Sequence, residues 1–312
     1  MQREKAKDDS GGAGAIGAAS VRANDRNILG LPWLQVEETI RQALREDMPD
    51  GDITTESIVD GDALGQVELI CKEDGILCGL EVFHRVFYML DPKVKMISSL
   101  RDGVEVLSGQ VVAILHGPLG VLLSGERTAL NFLQRMTGIA TMTREWSALL
   151  EGAGTRLIDT RKTTPNMRVL EKYAVRVGGG QNHRSGLSDG ILIKDNHIAA
   201  AGSIGNAISL ARAGNSFQRK IEVEVESLEM VKEALEAGAD IIMLDNMEMS
   251  LMKEAIGIIG GRALTECSGN VTKKRIPELA GLGLDFISCG ALTHSARICD
   301  FSMKHLRREE NL

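Results

Sequence analysis

Residues 220–227 read KIEVEVES, and the alternation in this stretch decides the fold of the second half of the chain. Side chains of a strand point to its two faces in turn, so Ile221, Val223 and Val225 share one face and Glu222, Glu224 and Glu226 the other. In a βα-barrel the apolar face packs on the surrounding helices while the glutamates point inward. Three inward carboxylates repel, so they call for a cation, a lysine or arginine, or a sugar hydroxyl. The competing reading is an edge strand whose acidic face is in water.

The neighbouring sequence repeats the same unit. Strands are expected at 156–159, 191–194, 221–226, 241–244, 263–266 and 286–288, with helices at 169–177, 204–213, 228–237, 250–258 and 274–282. Such alternation indicates a parallel sheet, either a barrel or a doubly wound sheet. Nearly every strand ends in a polar or glycine-containing cluster: DTRKT, KDNH, EVES, LDN, ECSGN and ISCGALTHS. Chemistry spread over many strand ends is how a barrel builds a site at its C-terminal mouth, whereas an open sheet concentrates it at one switch point.

The first half is different. A helix is expected at 35–46, followed by the turn-rich MPDGDITTES, then short strands at 67–70, 76–78, 95–97 and 111–115 around a helix at 81–90. This pattern describes an α+β domain ending near residue 122. Ser124 is then expected to cap a long helix whose Leu130, Leu133, Met136, Ile139 and Ala140 form an apolar stripe. Gly12, Gly14 and Gly17 satisfy GxGxxG, but no strand precedes them, so residues 1–27 are taken as a flexible tail. That tail lacks the apolar core of a secretion signal, and Glu4, Asp8 and Asp9 argue against a transit peptide.

Composition narrows the chemistry. A chain of 312 residues, 43% of them hydrophobic, can bury a core large enough for two domains or a barrel with an added one. Five cysteines, an odd number without CxxC spacing, fit reduced thiols in a cytoplasmic protein. No apolar run approaches the roughly 18 to 20 residues of a membrane span. Against a net charge of −7, the basic residues Arg161, Lys162, His183, Arg184 and Lys194 gather near the ends of apolar runs. This local concentration points to a polyanionic small molecule, not a nucleic-acid surface. Glu224 and Asp245 lie at adjacent strand ends and form a candidate ribose and Mg²⁺ site. Ser268, Gly269 and Asn270, then Cys289 and Gly290, are candidate phosphate cradles, although SGN alone is an ordinary turn. Arg168, Lys172 and Arg176 recur at helical spacing and read as a solvated helix face. His84, His116, His294 and His305 have no metal-ligand spacing and receive no role.

In order along the chain, GERTALNFLQRMTGIAT, DTRKTTP, GGGQNHRSGLSDGILIKDNHI, EVEVES, IMLDNM, ECSGNVT and ISCGALTHS resemble quinolinate phosphoribosyltransferase, the carboxylating nicotinate-nucleotide pyrophosphorylase family. The resemblance spans about residues 34–302. It implies an α/β fold with an N-terminal α/β sandwich domain, residues 28–135, and an incomplete seven-stranded α/β barrel, residues 136–297, with residues 298–312 returning to the first domain. The implied reaction joins quinolinate to 5-phosphoribosyl 1-diphosphate with Mg²⁺ as cofactor, giving nicotinate mononucleotide, diphosphate and CO2. The same resemblance assigns Arg161, Thr163, His183, Arg184 and Lys194 to substrate, with Arg127 reaching in from a neighbouring subunit of a homodimer or larger oligomer. It gives catalytic roles to Lys162, Glu224 and Asp245, places Mg²⁺ at Glu224 and Asp245 directly or through water, and gives phosphate to Ser268, Gly269, Asn270, Ser288, Cys289 and Gly290.

Three alternatives remain at this point. A related transferase acting on nicotinate, or the molybdenum-linked paralogue, would keep the phosphate loops without needing the full basic set. A barrel aldolase would use Lys194 as a Schiff-base nucleophile. An anion-binding regulator would bind phosphoribosyl diphosphate without turnover.

Overall fold

The computed structural model describes residues 30–309; the proposed tail at 1–27, with its GxGxxG, lies outside the described residues. Helix α1 (Trp33–Asp47) buries Val36, Ile40 and Leu44, which lie four residues apart on one stripe. MPDGDITTES is more than a turn, because it contains a short helix, α2 (Ile53–Ile58). The Asp52 carboxylate caps it by accepting from the Thr55 N–H at 3.0 Å.

Strands β1 (Leu64–Cys71) and β2 (Gly75–Ile76) precede α3 (Leu80–Leu90). Strands β3 (Lys95–Ile97), β4 (Glu105–Val106) and β5 (Val111–Pro118) follow, and β5 runs directly into the 30-residue helix α4 (Leu119–Ala148). Ser124 therefore lies inside α4 and does not cap it. Pro118, which has no N–H to give to the sheet, ends β5 and occupies the N-cap position instead. The Ser124 hydroxyl donates to Asp52 at 2.9 Å and so ties α2 to α4.

The second half alternates strand and helix. It runs β6 (Arg156–Ile158), α5 (Arg168–Val177), β7 (Ile191–Ile193), α6 (Asp195–Ala201), α7 (Ile204–Ala213), β8 (Ile221–Val225) and α8 (Leu228–Glu236). It continues β9 (Ile241–Asp245), α9 (Met249–Ile259), β10 (Leu264–Ser268), α10 (Ile276–Ala280), β11 (Phe286–Ser288) and α11 (Ala291–His294), and the chain ends in β12 (Phe301–Arg308). All six strands expected here are present. They form one parallel sheet in the order β6-β11-β10-β9-β8-β7. Beyond β6 the seventh position is reduced to one parallel bridge, Ile158 to Gln181. The barrel is thus incomplete, with a gap between that bridge and β7.

KIEVEVES is not an edge strand, since β8 is paired on both sides. Ile221, Val223 and Val225 are buried outward, and Glu222 is only 5% exposed on the inner face. Glu226 lies past the end of β8 and is exposed.

A four-stranded sheet is antiparallel, in the order β12-β1-β5-β3, and β2 and β4 pair antiparallel in a third, two-stranded sheet. The first strand pair of the four-stranded sheet joins the first and last strands of the described chain, with Cys71 opposite Phe301 and Gly65 opposite Arg308. Helix α4 links the halves. At about 1.5 Å per residue it is roughly 45 Å long, and it contacts α3 and β5 on one side and α5 and β6 on the other. Residues 135 and 136, where the two domains were divided, both lie within it. At Gly138 it touches the chain leading back to β12: a Cβ there would sit 1.9 Å from the Arg297 carbonyl oxygen.

Candidate active site

The C-terminal ends of the parallel strands surround a cavity of about 550 Å³. Arg161, Lys162, His183, Arg184, Lys194, Glu224, Asp245, Ser268, Gly269, Asn270 and Ser288 all line it. Sheet register explains why residues so far apart in sequence converge. Glu224 is level with Met243, Met243 with Glu266, and Glu266 with Phe286, while Asp245 and Ser268 form the next row towards the mouth.

One side of the cavity is irregular backbone held by buried charge. Asp159, fully buried just after β6, is paired with Lys172 of α5, itself 2% exposed. Asp159 also accepts from the His183 N–H at 2.9 Å and from Asn182 Nδ2 at 2.6 Å, and Lys172 donates to the His183 carbonyl at 3.0 Å. Burial pushes the Asp159 pKa up and the Lys172 pKa down, and each is countered by the other's charge. The expected solvated face of α5 is therefore incorrect. Arg168 donates to Thr163 Oγ1 at 2.9 Å and to the Ser185 carbonyl at 3.1 Å, and Arg176 bonds Asn182. These three side chains hold the loops on either side of α5.

Glu171, on the same helix and fully buried, makes an ion pair with Arg135 of α4 at 2.8 Å. It also accepts from Thr164 N at 3.1 Å and Thr164 Oγ1 at 2.8 Å, which fixes the DTRKTTP loop carrying Arg161 and Lys162. Thr293 adds a hydrogen bond to the Lys162 carbonyl at 2.8 Å.

His183 has both ring nitrogens occupied by protein. Nδ1 accepts from the Arg184 N–H at 2.7 Å, and Nε2 faces Glu222 Oε2 at 2.9 Å and Glu266 Oε2 at 3.6 Å. Arg184 donates to the Gly190 carbonyl at 3.1 Å. Burial, then the Arg161 charge, lower its pKa, although guanidinium remains charged at any physiological pH. Burial, then the neighbouring Glu222, push Glu266 well above the ordinary carboxylate range.

The opposite side is made mainly of turns. Asn246, Gly269 and Asn270 follow β9 and β10 with φ of 51°, 93° and 48°, all left-handed. Asn270 Nδ2 donates to Asn246 Oδ1 at 3.1 Å. At Gly269 a Cβ would lie 2.2 Å from that same oxygen, so the approach of the two turns requires glycine. Between the two sides Lys194 forms an ion pair with Glu224, so the basic and acidic strand ends are coupled.

Four expected site residues do not line the cavity. Arg127 is exposed on α4, Thr163 holds Arg168, and Cys289 is buried with its thiol 3.8 Å from the Val271 carbonyl. Gly290 lies behind Lys162, where a Cβ would come within 3.0 Å of Lys162 Cδ and 3.1 Å of the His294 ring. Thr160, Leu192, Met243, Asn246 and Glu266 line the cavity without having been anticipated. Asn246 directly follows Asp245, and Glu266 has the same-face spacing as Ser268, so both carried a signal.

A polyanion-sized cavity at the C-terminal mouth of an incomplete barrel, with a basic side facing left-handed turns, marks a phosphoribosyltransferase-class enzyme. Two family models cover most of the chain: the quinolinate phosphoribosyl transferase N-terminal domain matches residues 52–137 and its C-terminal domain residues 139–304. The chain belongs to the quinolinate phosphoribosyltransferase family. It is 45% identical over 270 residues to a probable carboxylating nicotinate-nucleotide pyrophosphorylase of Bacillus subtilis, covering 86% of this chain and 93% of that protein. The crystal structure of NadC from Streptococcus pyogenes is 48% identical and superposes with a TM-score of 0.86, over 90% of this chain and 100% of that one. The nicotinate-nucleotide pyrophosphorylase from Francisella tularensis is 38% identical, with a TM-score of 0.85 over 90% of this chain and 99% of that one.

Among the described residues, no helix is long and apolar enough to cross a membrane, and all five cysteines are free and buried.

Proposed function

We propose that the enzyme transfers the phosphoribosyl group of 5-phosphoribosyl 1-diphosphate to quinolinate with loss of CO2, forming nicotinate mononucleotide and diphosphate. The observation that carries this reading is the pairing, in one cavity, of Arg161, Arg184 and Lys194 with the turns of Asn246 and residues 268–270. Guanidinium groups match a dicarboxylate two oxygens at a time, and backbone N–H groups in left-handed turns match phosphate. Family membership favours it over an aldolase or a regulator. The ion pair of Lys194 with Glu224 also occupies the amine that a Schiff-base nucleophile would need free.

The residues present fit Mg²⁺. Glu224 Oε2 meets Lys194 and Asp245 Oδ2 accepts from Asn246 at 2.8 Å, while each carboxylate's other oxygen has no protein hydrogen-bond donor among the described residues. Held by Glu224 and Asp245, the ion would neutralise departing diphosphate. The chain's own groups do the rest. Arg161 and Arg184 hold the two acceptor carboxylates and aim the ring nitrogen at the anomeric carbon, an orientation effect. As the glycosidic bond to diphosphate lengthens, Glu224 and Asp245 stabilise the positive charge developing on the ribose. Once the ring nitrogen is ribosylated and cationic, it accepts the electron pair left as CO2 departs. Lys162, held by its carbonyl at Thr293, would reach both substrates.

Arg127, exposed on α4, would complete the site of a second subunit in a homodimer. Incubation with both substrates and Mg²⁺ should yield nicotinate mononucleotide, diphosphate and CO2 in equal amounts; turnover of nicotinate in place of quinolinate, or binding without product, would refute the reading. In the same assay, an exchanged mixture of Arg127→Ala and Arg161→Ala proteins should regain about a quarter of wild-type sites by two-fold symmetry, and no recovery would refute the shared site.

A further inference from the structure

Glu222 and Glu266 are two buried carboxylates for which the proposed reaction has no use. They are 5% and 2% exposed, and Oε1 of each is buried without a hydrogen-bond partner. Buried carboxylates without compensation are costly, so their retention needs a reason. Their shared neighbour is His183. Glu222 Oε2 lies 2.9 Å from His183 Nε2, with Glu266 Oε2 at 3.6 Å. On the other side of the ring, Nδ1 accepts from the Arg184 backbone at 2.7 Å. With Nδ1 accepting, the ring proton is on Nε2 and points at Glu222. Asp159 and Lys172 hold the His183 backbone at its N–H and carbonyl, but neither touches the ring.

The location of this contact makes it consequential. His183 and Arg184 belong to residues 178–190, which contain no helix or strand apart from the bridge at Gln181. The gap in the barrel also lies here, so no neighbouring strand fixes their direction. A second cavity opens behind them, lined by His183, Arg184, Glu222 and Glu266, which also face it. The imidazole therefore stands between two cavities, with the glutamates as its lateral support. Ring rotation would free the Arg184 N–H and loosen the backbone from which its guanidinium, bonded to the Gly190 carbonyl at 3.1 Å, is set at the edge of the mouth.

We infer that Glu222 and Glu266 are positioning residues for the acceptor: they fix the His183 ring, whose Nδ1 fixes the Arg184 backbone and so aims the Arg184 guanidinium into the mouth. Burial, then the neighbouring Glu222, raise the pKa of Glu266, and a neutral Glu266 carboxyl does not repel Glu222.

The inference rests on quinolinate being the acceptor, and the test separates the two. Glu222→Met removes the acceptor of the Nε2 proton, whereas Glu222→Gln keeps an oxygen there; Glu266→Gln tests the second carboxylate with little change in volume. Nitrogen-15 NMR of the His183 ring, assigned by loss of its signal in His183→Asn, should report one Nε2–H tautomer in the wild type and Glu222→Gln and a mixture in Glu222→Met. The KM for quinolinate should rise about tenfold or more in Glu222→Met and about threefold in Glu266→Gln, with that for phosphoribosyl diphosphate and kcat within about threefold. Glu222→Gln should restore the wild-type KM. An unchanged tautomer in Glu222→Met, or equal shifts in both KM values, would overturn the inference. If Glu222→Met does not fold, an unchanged quinolinate KM in Glu266→Gln would do so. A wild-type enzyme inactive with quinolinate would refute the functional reading alone and leave the ring measurement standing.

Discussion

The two sides of the cavity solve the same problem by different means. The side carrying Arg161, His183 and Arg184 is irregular backbone, braced by the buried pairs Asp159 with Lys172 and Glu171 with Arg135. The side carrying residues 268–270 has few such braces; its shape comes from left-handed backbone at Asn246, Gly269 and Asn270. One side positions long charged side chains, which have many rotamers to lose, and needs fixed partners to hold them. The other presents backbone N–H groups, whose direction a turn sets by itself. Ionic bracing should therefore tolerate little change of charge, and turn geometry little change of size.

The largest effect should come from removing a brace. Lys172→Met leaves Asp159 buried without its cation, and breaking a buried pair in this way costs about 3 to 5 kcal/mol. Urea unfolding should reveal this loss together with weaker quinolinate binding. Stability within about 1 kcal/mol of wild type would show that the bracing is dispensable.

A sharper comparison crosses one variant from each side. Arg184→Ala should weaken quinolinate by about 30 to 150-fold through loss of a charge-assisted contact, and leave phosphoribosyl diphosphate binding nearly unchanged. Gly269→Ala, which forces a Cβ against Asn246 at positive φ, should do the reverse, at about 1 to 3 kcal/mol of strain. Calorimetric titration of both ligands into both variants decides; a variant that loses both ligands equally would show that the sides are not independent.

The smallest effect lies outside the cavity. Asp102 accepts from the Gly79 and Leu80 N–H groups at 2.8 and 3.1 Å and from the Tyr173 hydroxyl at 3.0 Å, joining α3 to α5. Burial raises its pKa above the ordinary value. The folded state therefore holds its proton more tightly than the unfolded state, and stability contributed by this group falls as pH rises from the ordinary carboxylate value to the raised one, then levels off. Urea titrations between about pH 4 and 7 should show Asp102→Asn losing that part of the slope. An unchanged slope would mean that Asp102 is not its source.

This contrast also explains what the sequence disclosed. Period-two alternation gave the faces of β8, and polar strand ends located the mouth, because both are local patterns. Ser124 was misplaced because its residue type suits a cap, while the real helix start followed from Pro118 six residues earlier. Lys172 was misread for a deeper reason. Its spacing with Arg168 and Arg176 is that of a solvated helix face, and the partner that buries it, Asp159, lies on another element. Periodicity reports which face a residue occupies, but not what meets that face. Glu266 shares a face with Ser268, a spacing visible in the sequence, but its approach to the ring of His183 comes from the sheet register that puts it level with Met243.

The pairing of β1 with β12 has a consequence for the order in which the molecule is completed. A ribosome releases β1, β5 and α4 early, yet the backbone edge of β1 waits for residues 301–308, the last described strand, before it is covered. The domain that begins first in synthesis thus closes last, after the barrel it adjoins. Until then an apolar strand edge is open to pairing with other chains, which makes the nascent protein, more than the finished one, the state exposed to aggregation.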